Sequence, residues 1–220
     1  MKDIDIVVTC NYCEKQGEAH AYTIIDGDKS PTLKDMAING MLFEYKCDNC
    51  EKITIIDFPV KYVQDNGNFT VEYTTDSQEF DNSLDTYTEE FEESEGEFEK
   101  VRRIVSSQEE LSEKIIIYNS GLDDKVIEIL KLMYEVFYKE THPEKTIKDV
   151  YFSTLSGKNS FLFFLEDEQS VSKKIDPALY DAYAKKLEKL ELSQDFVIDR
   201  NWAYNALQNI MVIDSVENAN

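Results

Sequence analysis

Histidine, glycine, proline and cysteine are all scarce in this chain: 2, 7, 4 and 4 residues respectively in 220. With only His20 and His142 available, no histidine-based metal centre can be assembled from sequence neighbours. So little glycine and proline excludes a flexible linker or a low-complexity chain. No apolar run approaches the roughly 18 residues of a membrane span. The longest in the C-terminal half, Phe161–Leu165, has the length of a strand. The opening stretch, MKDIDIVVTC, sets acids within a short apolar segment and lacks a cleavage-site pattern, so a signal peptide is not expected and a cytoplasmic setting is. Gly-x-Ser-x-Gly, His-Glu-x-x-His and dinucleotide fingerprints are missing.

Positive charge is short as well. Against 45 acids stand 23 lysines and arginines, a formal net charge of −22. Residues 62–99 hold no Lys or Arg and thirteen acids, more than half of the excess in 38 residues. Such a surface repels a phosphate backbone, which argues against direct nucleic-acid binding. No feature points to a membrane partner. Hydrophobic residues still make up 42% of the chain, enough for a core in one large domain or two small ones.

What is present is concentrated in the cysteines. They form two pairs, Cys10-Asn11-Tyr12-Cys13 and Cys47-Asp48-Asn49-Cys50. A two-residue gap lets two thiolates from one tight turn hold one ion, and four sulfurs complete a tetrahedral Zn²⁺ shell. A full shell leaves no open position for water or substrate, so the expected metal is structural zinc. A redox dithiol, disulfides and buried free thiols are the alternatives; no thioredoxin-like βαβ pattern surrounds either pair. Four thiolates and one Zn²⁺ would take the formal charge from −22 to −24, partly offset locally by Lys15, Lys46 and Lys52. His20 follows Cys13 by seven residues but sits in a strand pattern.

Hydropathy patterning predicts an α+β protein: an N-terminal zinc-ribbon-like antiparallel β unit with an inserted helix, then a C-terminal α+β region. Strands are expected at 4–9, 20–25, 41–46 and 52–58, and a hairpin at 61–63 and 69–73 around Asp65-Asn66-Gly67-Asn68. A helix is expected after Ser30 as N-cap, with Pro31 at its first position and Gly40 past its end. Further on come a strand at 102–105, helices at 109–118 and 124–139, paired strands at 147–154 and 160–166 joined through Ser156 and Gly157, a helix at 177–190, a strand at 196–198 and a helix at 201–211. The domain division expected is 1–75 for the ribbon, 76–99 for an acidic, aromatic-containing connector, and 100–220 for the C-terminal region, which can pack as one domain with 1–75. In the connector, Phe80, Leu84, Tyr87, Phe91 and Phe98 fall at helical spacing. That stretch is either a solvated linker or a helix docked on a partner protein or on the chain's own groove.

In order and spacing these pieces resemble the CpXC family, bacterial proteins named for two Cys-Pro-X-Cys motifs and without an assigned activity as a group. The resemblance covers roughly residues 6–135. It includes Pro31-Thr-Leu33, Gly40-Met-Leu-Phe43 and Phe58-Pro-Val-Lys-Tyr62, then Arg103-Ile-Val105, Leu111-Ser-Glu-Lys-Ile115, Gly121-Leu-Asp-Asp124, Ile127-Glu128 and Lys131. It implies a zinc-bound ribbon carrying strands and helices, and no activity. This chain has Asn11 and Asp48 where the family has proline. It has Glu14 and Glu51 where glycine usually follows each second cysteine, commonly in a left-handed conformation. A side chain there costs on the order of 1 kcal/mol, small against the roughly 10–16 kcal/mol of zinc binding in such peptides.

Elsewhere the residues support plain roles. Asp123 and Asp124 read as helix caps. Glu113 and Lys114 read as surface or interhelix pairs, Lys158 as part of a hairpin turn, His142 as solvated surface, and Trp202 and Tyr204 as core or a dimer face. The function expected is a zinc-stabilised interaction or regulatory protein with a protein partner and no catalytic residues; the oligomeric state stays open. The alternatives are an acidic nucleic-acid mimic, and a hydrolase whose Asp123, Asp124, Asp149 and Glu166 gather around a second metal.

Overall fold

The structure is a computed structural model that describes residues 1–94, 100–155, 157–190 and 195–217. The chain forms two compact units, Met1–Ile115 and Ile116–Asn220. The architecture is mixed α+β.

The first unit opens with β1 (Lys2–Thr9) and β2 (Gln16–Asp26), an antiparallel pair in which Val8 stands opposite Gly17. Helix α1 (Pro31–Ile38) begins with Pro31, whose fixed φ suits a first turn. Ser30 occupies the cap position but makes no side-chain cap bond; its hydroxyl turns toward Met1 Sδ at 3.9 Å. Gly40 follows at φ 72, where a glycine bears no steric cost. A 3₁₀ turn (Met41–Phe43) then leads into the short hairpin of β3 (Glu44–Lys46) and β4 (Ile53–Ile55). The strands expected over 41–46 and 52–58 are thus each cut to three residues. Phe43 instead turns inward to pack on Phe58 and Tyr73, with ring centroids at 5.0 and 5.7 Å.

Strands β5 (Val60–Gln64) and β6 (Phe69–Tyr73) form the expected hairpin around Asp65–Gly67. Helix α2 (Ser77–Glu93) and β7 (Val101–Val105) complete a five-stranded sheet of order β1-β2-β5-β6-β7. The sheet is mixed: β2 runs parallel to β5, and β6 parallel to β7. A parallel pair needs a crossover, and α2 supplies it for β6 and β7. The residues read from sequence as a connector therefore hold a sheet-crossing helix, and β7 belongs to the sheet of the first unit. Asp76 caps α2 by accepting from Glu79 N. The expected stripe faces inward: Tyr87 is fully buried and Phe80, Leu84 and Phe91 are half-buried. Phe98 lies outside the described residues. Beneath α2, Glu72 accepts from Ser83 Oγ at 2.5 Å and pairs with Lys61 at 2.6 Å, while Arg102 pairs with Glu90 at 3.2 Å. Helix α3 (Gln108–Asn119) starts at Ser107, whose hydroxyl accepts from Glu110 N, and contains the unit boundary.

The second unit is built on α4 (Asp124–Thr141). Asp123 caps it through Lys125 N, as the sequence suggested, and Tyr180 Oη accepts from Asp123 N at 2.8 Å. Strands β8 (Ile147–Leu155), β9 (Lys158–Leu165) and β10 (Ser170–Lys174) form an antiparallel sheet of order β10-β9-β8. Alternation along β9 sends Phe161, Phe163 and Leu165 into one core with Ile127, Leu130 and Tyr138 of α4. The hairpin turn has Gly157 at φ 72; Ser156 lies outside the described residues. Helices α5 (Pro177–Leu187, capped by Asp176) and α6 (Arg200–Glu217) close the unit. Phe196 and Ile198 are buried, but the strand expected at 196–198 does not form; the chain turns at once into α6. Among the described residues no helix is long and apolar enough to cross a membrane.

Candidate metal centre

Each cysteine pair lies in a tight turn with the same backbone bonding. In the first, Cys10 N donates to Lys15 O at 2.9 Å and Glu14 N to Cys10 O at 3.0 Å. In the second, Cys47 N donates to Lys52 O at 3.0 Å and Glu51 N to Cys47 O at 2.8 Å. Both turns need a left-handed residue after the second cysteine. Glu14 and Glu51 supply it at φ 59 each, the conformation that glycine would take without strain.

The first turn joins β1 to β2 and the second joins β3 to β4, so two hairpin tips meet. All four Sγ atoms lie within 4.8 Å of one another, although 34 residues separate Cys13 from Cys47. Cys10 and Cys50 sulfurs are 3.6 Å apart, and so are those of Cys13 and Cys47. A disulfide needs about 2.05 Å, and all four cysteines are free. A tetrahedron built on metal–sulfur bonds of about 2.3 Å has edges of about 3.8 Å. The cluster thus has the size and donor set of a closed four-thiolate metal shell. Cys10 and Cys47 are buried; Cys13 and Cys50 are half-buried.

Hydrogen bonds already favour the thiolate form on the first turn. The Tyr12 N–H, aided by the Cys13 N–H, Cys50 and the Thr54 hydroxyl, brings the Cys10 thiol down to about 6 against the effect of burial. The Lys15 N–H is the largest influence lowering Cys13, and the Asn49 side chain also contributes. Cys50 goes the other way. The Lys52 N–H lowers it, but burial and the adjoining sulfurs of Cys13, Cys10 and Cys47 push it up to about 12. Four thiols this close share protons as a group, and a divalent ion that displaces those protons relieves the repulsion among them.

One contributor gave only a faint sequence signal. Thr54 is the inward residue of β4, flanked by exposed Ile53 and Ile55. Its hydroxyl accepts from Asn11 N at 3.3 Å and donates to Cys10 Sγ at 3.8 Å. Strand alternation around residue 54 was the available clue. Beside it, the Lys52 ammonium lies 4.6 Å from the centroid of the Tyr12 ring.

The other candidates lie apart from the sulfurs. His20 pairs across the strands with Asp5 at 2.6 Å. His142 stacks on Tyr138 at 4.5 Å. Of the two roles expected for Glu113 and Lys114, surface or interhelix pairing, burial excludes the surface one: both are buried on α3 and both have interaction partners. Trp202 donates from Nε1 to Asp195 at 2.8 Å, and Tyr204 is exposed. Lys158 opens β9 at the surface. Asp123 caps α4, Asp124 is buried on it, Asp149 lies in β8, and Glu166 follows β9. Among the described residues these acids form no metal-ligating group of three; the four cysteines do.

Two matched knuckles converging on one point define a protein with a four-cysteine metal-binding cluster. The chain belongs to the CpXC family: the family model described as "CpXC protein" matches residues 8–131. That span takes in both knuckles, strands β2, β5, β6 and β7 of the five-stranded sheet but only the end of β1, then α3 and the first turns of α4. No curated protein and no solved structure matches the chain.

Proposed function

We propose that this is a cytoplasmic, zinc-stabilised interaction or regulatory protein in which Cys10, Cys13, Cys47 and Cys50 hold a structural ion and take no part in catalysis. The observation that carries it is the convergence of four sulfurs within 4.8 Å. Four thiolates suit Zn²⁺ and leave it no position for a reacting water. Metal analysis of purified protein, alone and as Cys47→Ser, tests this. Close to one zinc per chain is expected, lost together with the ordered knuckles in the variant. Metal-free protein with undisturbed knuckles would overturn the proposal.

The partner is a protein, met through the outer face of α2. Asp81, Asp85, Glu89 and Glu93 are exposed there and recur every four residues, a step of about 6 Å along a helix. Neutralising them as Asp→Asn and Glu→Gln leaves the inward stripe untouched. Pull-downs with that variant should lose partners kept by the wild type; an unchanged set counts against this face. The same ladder of carboxylates on a docked helix also favours a second reading, a nucleic-acid mimic. In that case the partners lost are DNA- or RNA-binding proteins, and duplex DNA competes with this chain for them.

A further inference from the structure

The two knuckles match in their backbone but not in what the rest of the molecule offers their sulfurs. Cys10 receives the Tyr12 N–H at 3.4 Å and the buried Thr54 hydroxyl at 3.8 Å. The Lys15 N–H and the Asn49 side chain act on Cys13, whereas Cys50 has the matching Lys52 N–H and no such side chain. Thr54 and Asn49 both belong to the second hairpin, so two side chains reach from the second knuckle to steady the first. Lys52 adds a third contact in the same direction, over the Tyr12 ring. Among the described residues no side chain of the first hairpin other than a cysteine donates to Cys47 or Cys50 in return. Cys10 and Cys47 are both shielded by burial, and Cys13 and Cys50 are both half-buried, so the outer partners are what separate the two knuckles.

Hydrogen bonds to a thiolate disperse its charge and fix its direction toward the metal, and removing an outer partner of a metal ligand typically costs about 10–100-fold in affinity. We propose that the metal site opens from one side: Cys50 is the ligand that leaves first, and the first knuckle retains the ion, with Thr54 as the positioning residue that anchors Cys10. The inference deepens the zinc assignment above and rests on it. A reagent or competing chelator reaches the half-buried sulfur with the fewest protein partners before it reaches a fully covered one held from two directions. Regulation of the site by metal withdrawal or thiol modification would therefore enter through the second knuckle.

Timed labelling of the zinc-loaded full-length chain with N-ethylmaleimide, followed by peptide mass spectrometry, tests the order. Cys50 should be modified first, at least about 10-fold faster than Cys10. Thr54→Val removes the hydroxyl at nearly constant volume. It should accelerate Cys10 labelling about 10-fold and lower zinc retention against a chelator by a similar factor. Thr54→Ser, which keeps the hydroxyl, should behave as wild type. With Co²⁺ in place of zinc, the thiolate charge-transfer band should shift in Thr54→Val and not in Thr54→Ser. Cys13 reacting as fast as Cys50, or Thr54→Val labelling like wild type, overturns the asymmetry while leaving zinc in place. A wild-type chain that retains no zinc overturns the metal assignment itself, so the two failures are distinguishable.

Discussion

Gly17 lies directly under the Tyr45 ring: a Cβ at residue 17 would sit 1.8 Å from the Tyr45 hydroxyl oxygen. Tyr45 is the inward residue of β3, and Gly17 is opposite Val8 in the long arm of β1 and β2. The missing side chain is what lets the short hairpin close on the arm beside the sulfurs. Gly17→Ala should force the buried ring aside and cost about 1–3 kcal/mol. A lower urea midpoint at unchanged slope is the expected result. An unmoved midpoint would mean that Tyr45 swings clear.

The strained glutamates after each knuckle predict the opposite sign. Glu14 and Glu51 both hold φ 59. Glu14→Gly and Glu51→Gly should each stabilise the first unit by about 1 kcal/mol, because glycine meets no Cβ clash in that conformation. In a chain of this size that is a rise in Tm of about 2–4 °C per substitution, readable by calorimetry. Glycine's greater freedom in the unfolded chain works against the gain, so a fall in Tm would show that unfolded-state entropy outweighs the relieved strain.

Helix α2 hangs on Tyr87. It is the one fully buried side chain of that helix and touches Lys61 and Arg102 through its ring face, at 5.6 and 5.8 Å from the centroid. Tyr87→Ala should cost about 3–5 kcal/mol in the first unit, the range for deleting a large aromatic from a core. Limited proteolysis should then cut within 77–93 ahead of the rest of the chain. Equal protection in variant and wild type would place the anchor elsewhere on the helix.

The docking of α2 also carries a pH dependence. Burial raises the Glu72 carboxyl, but Lys61, Ser83 and Tyr87 outweigh it and hold its pKa below the ordinary glutamate value. A depressed pKa contributes stability that is present above the unfolded value of about 4.3 and lost as pH falls through the folded one. Hydrogen-exchange protection of 77–93, corrected for intrinsic rates, should therefore fall as pH drops below about 4. Thiol ligands also take up protons in acid, so the control is Glu72→Gln, which should remove this component and leave the metal-linked one. Identical profiles in both proteins would show that Glu72 contributes nothing to it.

Much of this was legible in the residues themselves. The paired cysteines announced the cluster because ligand spacing is a local property, fixed within four residues. Pro31, Gly40, Asp123 and Asp176 marked helix ends for the same reason: caps and turns are settled by nearest neighbours. The role of 76–99 was harder. Its aromatics showed the helical period, but Asp, Asn, Ser and Thr weaken helix propensity, and what tips the balance is a sheet surface made by Lys61, Glu72 and Arg102. No local pattern announces that β7 runs parallel to β6, since strand order follows from long-range pairing. Thr54 was hidden for a related reason: a lone threonine in a strand is ordinary until the opposite hairpin brings Cys10 to it.

The parallel pairing of β6 and β7 sets an order of events for a chain leaving the ribosome. Both sulfur pairs have been synthesised by residue 50, whereas the sheet lacks its last strand until residue 105. An ion captured by the cysteines would therefore cross-link the nascent chain early. The acidic helix and its strand would then fold against a scaffold already closed at one end.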